Sequence, residues 1–127
     1  MIDALFSQAG YLGAKRMLDA SAARHDAIAN NISNAETPHY RRIDLAPSFQ
    51  AELKGALARG DAATLSSLRP KVAVDTQAMP VGRDGNTVNL EHEVVELGRN
   101  SLQHAVESQL VSASLLKLRL AITGKPS

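Results

Sequence analysis

The segment from Ala29 to Tyr40 reads Ala-Asn-Asn-Ile-Ser-Asn-Ala-Glu-Thr-Pro-His-Tyr, and it constrains this chain more than any other stretch. Asparagine side chains compete for backbone hydrogen bonds, which weakens helix interiors and favours helix ends and turns. Asn30, Asn31 and Asn34 therefore mark a helix exit at a fixed place. Pro38 biases Thr37 towards extended backbone and forbids continuation, and Tyr40 supplies an aromatic anchor just beyond. A chain with this corner must leave one helix here and begin something different.

What precedes the corner reads as a helix over residues 2–33. Its seam, at spacings of three and four, collects Ala4, Ser7, Tyr11, Ala14, Leu18, Ser21, His25, Ile28 and Ile32. Large and small side chains alternate along it, as expected where another helix approaches closely. Gly10 and Gly13 each cost on the order of 1 kcal/mol relative to Ala in a helix interior, so this helix is weak alone. The far end of the chain carries a stronger pattern over residues 89–123. Asn89 is a good N-cap, and Glu91 and Glu93 complement the dipole in the first turn. The seam runs Leu90, Val94, Leu97, Ser101, His104, Ser108, Val111, Leu115, Leu118, Ile122, with Val95, Leu102 and Leu116 broadening one flank. Lys117, Arg119 and Gly124 close the helix.

Composition changes between the two helices. Residues 36–88 hold Pro38, Pro47, Pro70 and Pro80 together with Gly55, Gly60, Gly82 and Gly85. A short helix is expected from Pro47 to Arg59, with Phe49, Leu53 and Leu57 on one stripe. Lys71 to Asp75 alternates as a strand through Val72 and Val74, and Asp84-Gly85-Asn86 is a turn signal feeding Thr87-Val88. A small β-hairpin is the natural expectation there, weakened by Pro80. The chain thus divides into residues 1–35, an irregular middle over 36–88, and residues 89–127.

The apolar inventory points to completion by partners. The 44% hydrophobic fraction leans on alanine, with two Phe, two Tyr and no Trp. At roughly 25 cal/mol per Å² of apolar area, burying alanine contributes far less than burying Leu or Phe. A net charge of +1 carries no nucleic-acid footprint, and Lys15-Arg16 and Arg41-Arg42 read as solvated pairs. No apolar run approaches the ~20 residues needed to cross a bilayer, and Asp3, Ser7 and Gln8 interrupt any cleavable-signal core.

Catalytic chemistry finds no foothold. His25, His39, His92 and His104 do not cluster, and the sequence has no cysteine, so no metal site is expected. The run His92-Glu93-Val94-Val95-Glu96 lacks the second histidine that a zinc-protease helix requires. His25 and His104 fall on the seams and are expected as imidazoles packed between helices. There is no phosphate-binding loop, nucleophile elbow or triad; the chain reads as a non-enzyme without cofactors.

Residues Ala29 to Tyr40 closely resemble the signature that ends the N-terminal helix of bacterial flagellar rod and hook proteins. Asp84 to Glu91, leading into the long C-terminal helix, is similar to the FlgB-type proximal branch of that basal-body rod family. The resemblance implies a mainly α fold whose terminal helices pair as an antiparallel coiled coil. It also implies a structural subunit of the rod, the drive shaft crossing the periplasm. A sister rod or junction protein is the nearest alternative, and a helical adaptor a more distant one.

The implied partners are copies of itself, other rod proteins, the MS-ring/rod adaptor and the flagellar type III export apparatus, with no nucleic acid and no membrane insertion. Export without a Sec signal follows from the same resemblance, as do terminal helices that fold on assembly. Carried over by residue, Asn30, Asn31, Asn34, Thr37, Pro38 and Tyr40 form the helix-end and turn motif. The assembly seam comprises Tyr11, Leu18, Ile28, Ile32, Leu90, Val94, Leu97, Val111, Leu115, Leu118 and Ile122. Phe49 with Leu53 resembles an export signal, against the simpler reading as a packed helical pair. His39 stands where the family carries glycine; if that position has φ > 0, histidine is strained there.

Overall fold

In the computed structural model, which describes residues 8–124, two long helices lie antiparallel and enclose a small middle segment at one end. The described elements are α1 (Gln8–Ser33), β1 (Ile43–Leu45), α2 (Pro47–Arg59), α3 (Ala62–Ser67), β2 (Val72–Val74) and α4 (Leu90–Thr123). At 1.5 Å per residue, α4 is about 50 Å long. Ala4 and Ser7 of the expected first seam lie outside the described residues.

Local chemistry accounts for each boundary. Pro47 opens α2 at its first turn, where its missing N–H costs nothing, and Gly60 ends it in the left-handed conformation at φ 62°. Asp61 caps α3 by accepting from the Thr64 N–H. At α4, the Asn89 side chain accepts from the His92 N–H at 3.2 Å, and Gly124 closes the helix at φ 66°. The expected N-cap and C-terminal glycine are thus both in place.

The helices pair as expected, but through a different stripe of α4. Its buried residues are Glu93, Glu96, Asn100, Glu107 and Ser114. Each of the first three sits one position before Val94, Leu97 or Ser101 of the expected seam, about 100° around the helix. The contacts with α1 are polar: Ser21 meets Asn100 and His104, Arg24 meets Glu96, and Asn31 meets Glu93. Apolar residues were expected at this contact, yet Leu90, Val94 and Ile122 remain exposed. Small and hydrogen-bonding side chains allow α1 and α4 to approach while their bulkier neighbours stay on the flank.

The middle segment folds against the same pair. Phe49 (1% exposed) packs with Ala20 and Leu68, flanked by Leu45 and Leu53. α1 and α2 approach closely at Gly13, where a Cβ would collide with the Leu57 side chain. The small-residue character of the first helix therefore serves α2. The two-stranded antiparallel sheet is present, but β2 pairs with Ile43–Leu45, in the register Ile43 with Val74 and Leu45 with Val72. Thr87–Val88 was the expected hairpin partner; its groups are committed elsewhere, Thr87 N–H to the Tyr40 carbonyl and Val88 N–H to the Asn86 side chain.

Candidate functional site

The corner after α1 is organised by a single buried amide. Asn31 is fully buried; its Nδ2 donates to the Ile43 carbonyl at 2.8 Å and its Oδ1 accepts from the Ile43 N–H at 2.9 Å. The side chain thereby pairs with Ile43 as a neighbouring strand would, on the side of β1 away from β2. Tyr40 donates its hydroxyl to the same Oδ1 at 3.2 Å.

Asn30 and Asn34 act through the helix end: Asn34 N–H and Nδ2 both donate to the Asn30 carbonyl. The Thr37 hydroxyl donates to Asn34 Oδ1, and Pro38 lies exposed at the turn. Asn86, which sequence reasoning used only as a turn residue, caps this corner from across the chain. Its Nδ2 donates to the Asn34 and Thr37 carbonyls at 2.8 and 2.7 Å.

Beside the amide lies an ion network that the sequence reading missed. Arg42, expected to be solvated, is 6% exposed and donates to Glu93 at 2.7 Å and to Asp75 at 2.6 Å. It also reaches Asp44 at 3.3 Å, and Arg24 continues the chain of charge to Asp44 and Glu96. One guanidinium thus ties the segment after the corner to α4 and to the end of β2. Burial works against the charge on Arg42, but its hydrogen bonds to Glu93 and Asp75, with the fields of Glu93 and Asp44, raise its pKa above the ordinary value. Burial pushes Asp75 upward, yet hydrogen bonds from Arg42 and the Gln77 N–H outweigh it and hold the carboxyl below its usual range. The Tyr40 phenol is raised by burial and then by Glu93, with Arg42 opposing.

Arg16, of the other pair expected to be solvated, is also buried; its Nε donates to the Leu65 carbonyl at 2.8 Å and fastens α3 to α1. Both arginines lie among polar acceptors, which a local count of charge could not foresee. The one signal available was the heptad-like spacing of Glu93, Glu96, Asn100 and Glu107, which resembles a solvated helix face until the partner helix is known.

His39 adopts φ 62°, the one positive-φ non-glycine among the described residues. The expected strain is therefore present. Its N–H donates to the Asp84 carbonyl at 2.8 Å, and a Cβ at Gly85, itself at φ 76°, would lie 2.8 Å from the imidazole Nδ1. Glycine at 85 suits its own left-handed backbone, and the imidazole of His39 leaves little room for a side chain there. His25 and His104 are both exposed rather than packed, although His104 is partly satisfied between the helices, its Nδ1 lying 2.8 Å from Ser21 Oγ of α1.

The remaining candidate residues separate into two groups. Ile28 is buried, while Tyr11, Leu18, Ile32, Leu97, Val111, Leu115 and Leu118 are half-buried, and Leu90, Val94 and Ile122 are exposed. The Lys15 ammonium lies 5.7 Å from the Tyr11 ring centroid. Across the helix from the buried stripe, Val95, Leu102 and Val106 are 53%, 70% and 62% exposed and form a further apolar row. Phe49 and Leu53 pack together in the small core, as the packing-pair reading expects. Among the described residues no cluster of His, Asp and Glu could hold a metal, and no helix is long and apolar enough to cross a membrane.

No protein-family model matches the chain. Individual relatives do. It is 30% identical to the flagellar basal body rod protein FlgB of Escherichia coli K12, an alignment covering 77% of this chain and 81% of the relative. Identity is also 30% to FlgB of Salmonella typhimurium, over 84% and 88% of the two chains. The FlgB of Borrelia hermsii is 25% identical over 86% and 92%. The chain belongs to the FlgB family of flagellar basal body rod proteins.

Proposed function

We propose that this FlgB-family chain is a non-enzymatic subunit of the proximal rod, part of the drive shaft, and transmits torque through its terminal helices. The observation that carries this reading is the division of labour on α4. Its intrachain face is polar and small, whereas Leu90, Val94, Val95, Leu102 and Val106 are each half or more exposed. Large apolar side chains left in rows along a helix are suited to neighbouring subunits. Residues 1–35 and 89–127 then act as assembly helices, with 36–88 buttressing them. The partners are further copies, other rod proteins and the MS-ring/rod adaptor, within the periplasm.

Delivery by the flagellar type III apparatus fits the same reading. Phe49 is buried in the folded chain, so an export signal built on Phe49 and Leu53 would be read before folding.

Leu97→Asp and Leu115→Asp each place a charge in the seam, where burial by a neighbour would cost several kcal/mol. Both variants are expected to be secreted but to leave cells non-motile, with no subunit in purified basal bodies. Normal swimming by both would remove the seam from the assembly contacts. A photoreactive side chain at either position identifies the neighbours directly.

A further inference from the structure

A cavity of about 300 Å³ opens between α1, α2 and α4, with Arg24 of the Arg42 network on its border. Its apolar wall comes from Met17, Phe49, Leu53 and Leu57. The opposite wall is polar and belongs to α4: Asn100, Gln103 and Glu107. Asn100 is 2% exposed and Glu107 3%, so both are withdrawn from solvent. Asn100 spends its amide donor on the Ser21 carbonyl, and Glu107 Oε1 accepts from Gln103 Nε2 at 2.8 Å. Among the described residues Asn100 Oδ1 and Glu107 Oε2 have no hydrogen-bond partner. Nor does any described residue form an ion pair with Glu107, unlike Glu93 and Glu96 on the same stripe.

A buried carboxylate with one neutral donor is strongly disfavoured unless a cation reaches it. We propose that this cavity is a socket for an arginine side chain of a neighbouring rod subunit, with Glu107 taking the guanidinium. The inference rests on the rod reading and names one of its contacts. The wall chemistry matches the ligand along its length: a methylene stem lies against Met17, Leu53 and Leu57 while the charged head meets Glu107. Guanidinium is more weakly hydrated than an ammonium and donates in a planar fork suited to a carboxylate. The second unpartnered acceptor sits seven residues away, two helical turns or about 10 Å along α4. A neighbouring helix with a donor two turns from its arginine would satisfy both.

Arg24 and Lys54 also border the cavity; Arg24 is committed to Asp44 and Glu96, which leaves Lys54 as the internal competitor. Its side chain is exposed on α2. Drawing it inward would desolvate a compact, strongly hydrated ammonium without supplying a donor for Asn100.

The test uses the full chain in motile cells. Incorporation of the wild type into purified basal bodies is measured first, and its absence there would remove the rod reading itself. Given incorporation, Glu107→Gln is expected to reduce the assembled subunit about tenfold or more while secretion is unchanged, since one partner of a buried charged pair is lost. Glu107→Arg is expected to abolish assembly and to be rescued by an arginine-to-glutamate change in a neighbouring subunit. A photoreactive residue at Gln103 should form an intersubunit adduct mapping beside an arginine. Equal assembly of Glu107→Gln and wild type would overturn the socket. So would intrachain adducts alone, or a Lys54→Met variant with the same loss as Glu107→Gln.

Discussion

The two ends of the α1–α4 contact are built from similar residues and reach opposite outcomes. Near the corner, Glu93 is buried against Arg42 and Asn31, and Glu96 against Arg24, so the polar atoms have partners. Farther along the same stripe, Asn100 and Glu107 are equally buried but each retains an unpartnered oxygen. The closed end draws its partners from Arg42, Asn31 and Arg24. Across from the open end stand Phe49, Leu53 and Leu57 of α2, an apolar wall that gives the two oxygens no donor. A single helix thus carries a self-sufficient half and a half awaiting company.

The comparison breaks most severely at Arg42. Replacing it by Met leaves Glu93 buried without compensation, and a loss of about 3–5 kcal/mol is expected from urea unfolding. The double variant Arg42→Met/Glu93→Leu should recover most of that loss. Should the double be as unstable as the single, the closed end would depend on packing rather than on paired charge.

Asn31→Ala tests the amide beside it. It strands the Ile43 backbone groups and the Tyr40 hydroxyl, at a cost of about 1–3 kcal/mol, with faster amide exchange at Ile43 as the readout. Unchanged protection at Ile43 would show that β1 is held by β2 alone.

Acid sharpens the contrast further. Asp75 titrates below its ordinary value of about 3.9, so its contribution is complete above that pH and is lost as pH falls through the folded value. The melting temperature should therefore decline below about pH 4, and Asp75→Asn should flatten that decline. Tyr40 works in the other direction: its raised pKa favours the neutral phenol, a contribution present below about pH 10 and lost as pH rises through the folded value.

The smallest effect concerns His39. Substituting Gly relieves the left-handed strain but increases unfolded-chain entropy, for a net gain of about 0.5 kcal/mol. A thermal melt reads the sign; destabilisation would mean that the imidazole against Gly85 contributes more than its backbone costs.

Much of this architecture was legible in the residues. Asn30, Asn31, Asn34 and Pro38 specified the corner, Pro47 and Gly60 bounded α2, and Asn89 and Gly124 bounded α4, because caps and breakers act over a few residues. The faces of α4 were less legible. Apolar periodicity identifies a helix that wants company but not which company, and here the chain's own partner takes the polar stripe one residue earlier. Arg42 was misread for a related reason. A solvated arginine and a buried one look alike until Asp75 and Glu93, 33 and 51 residues away, are brought beside it. β2 found the wrong partner on paper because Asp84-Gly85-Asn86 is a strong turn signal whose Asn86 is used to cap the corner instead.

The two apolar rows of α4 have a consequence for timing. Every copy that folds before a growing tip is ready presents adhesive surface with nothing over it, and copies that meet in that state can stick in unproductive registers. Supply must therefore keep pace with growth: a bacterium that overproduces this subunit relative to its nascent rods should accumulate clumps rather than longer rods.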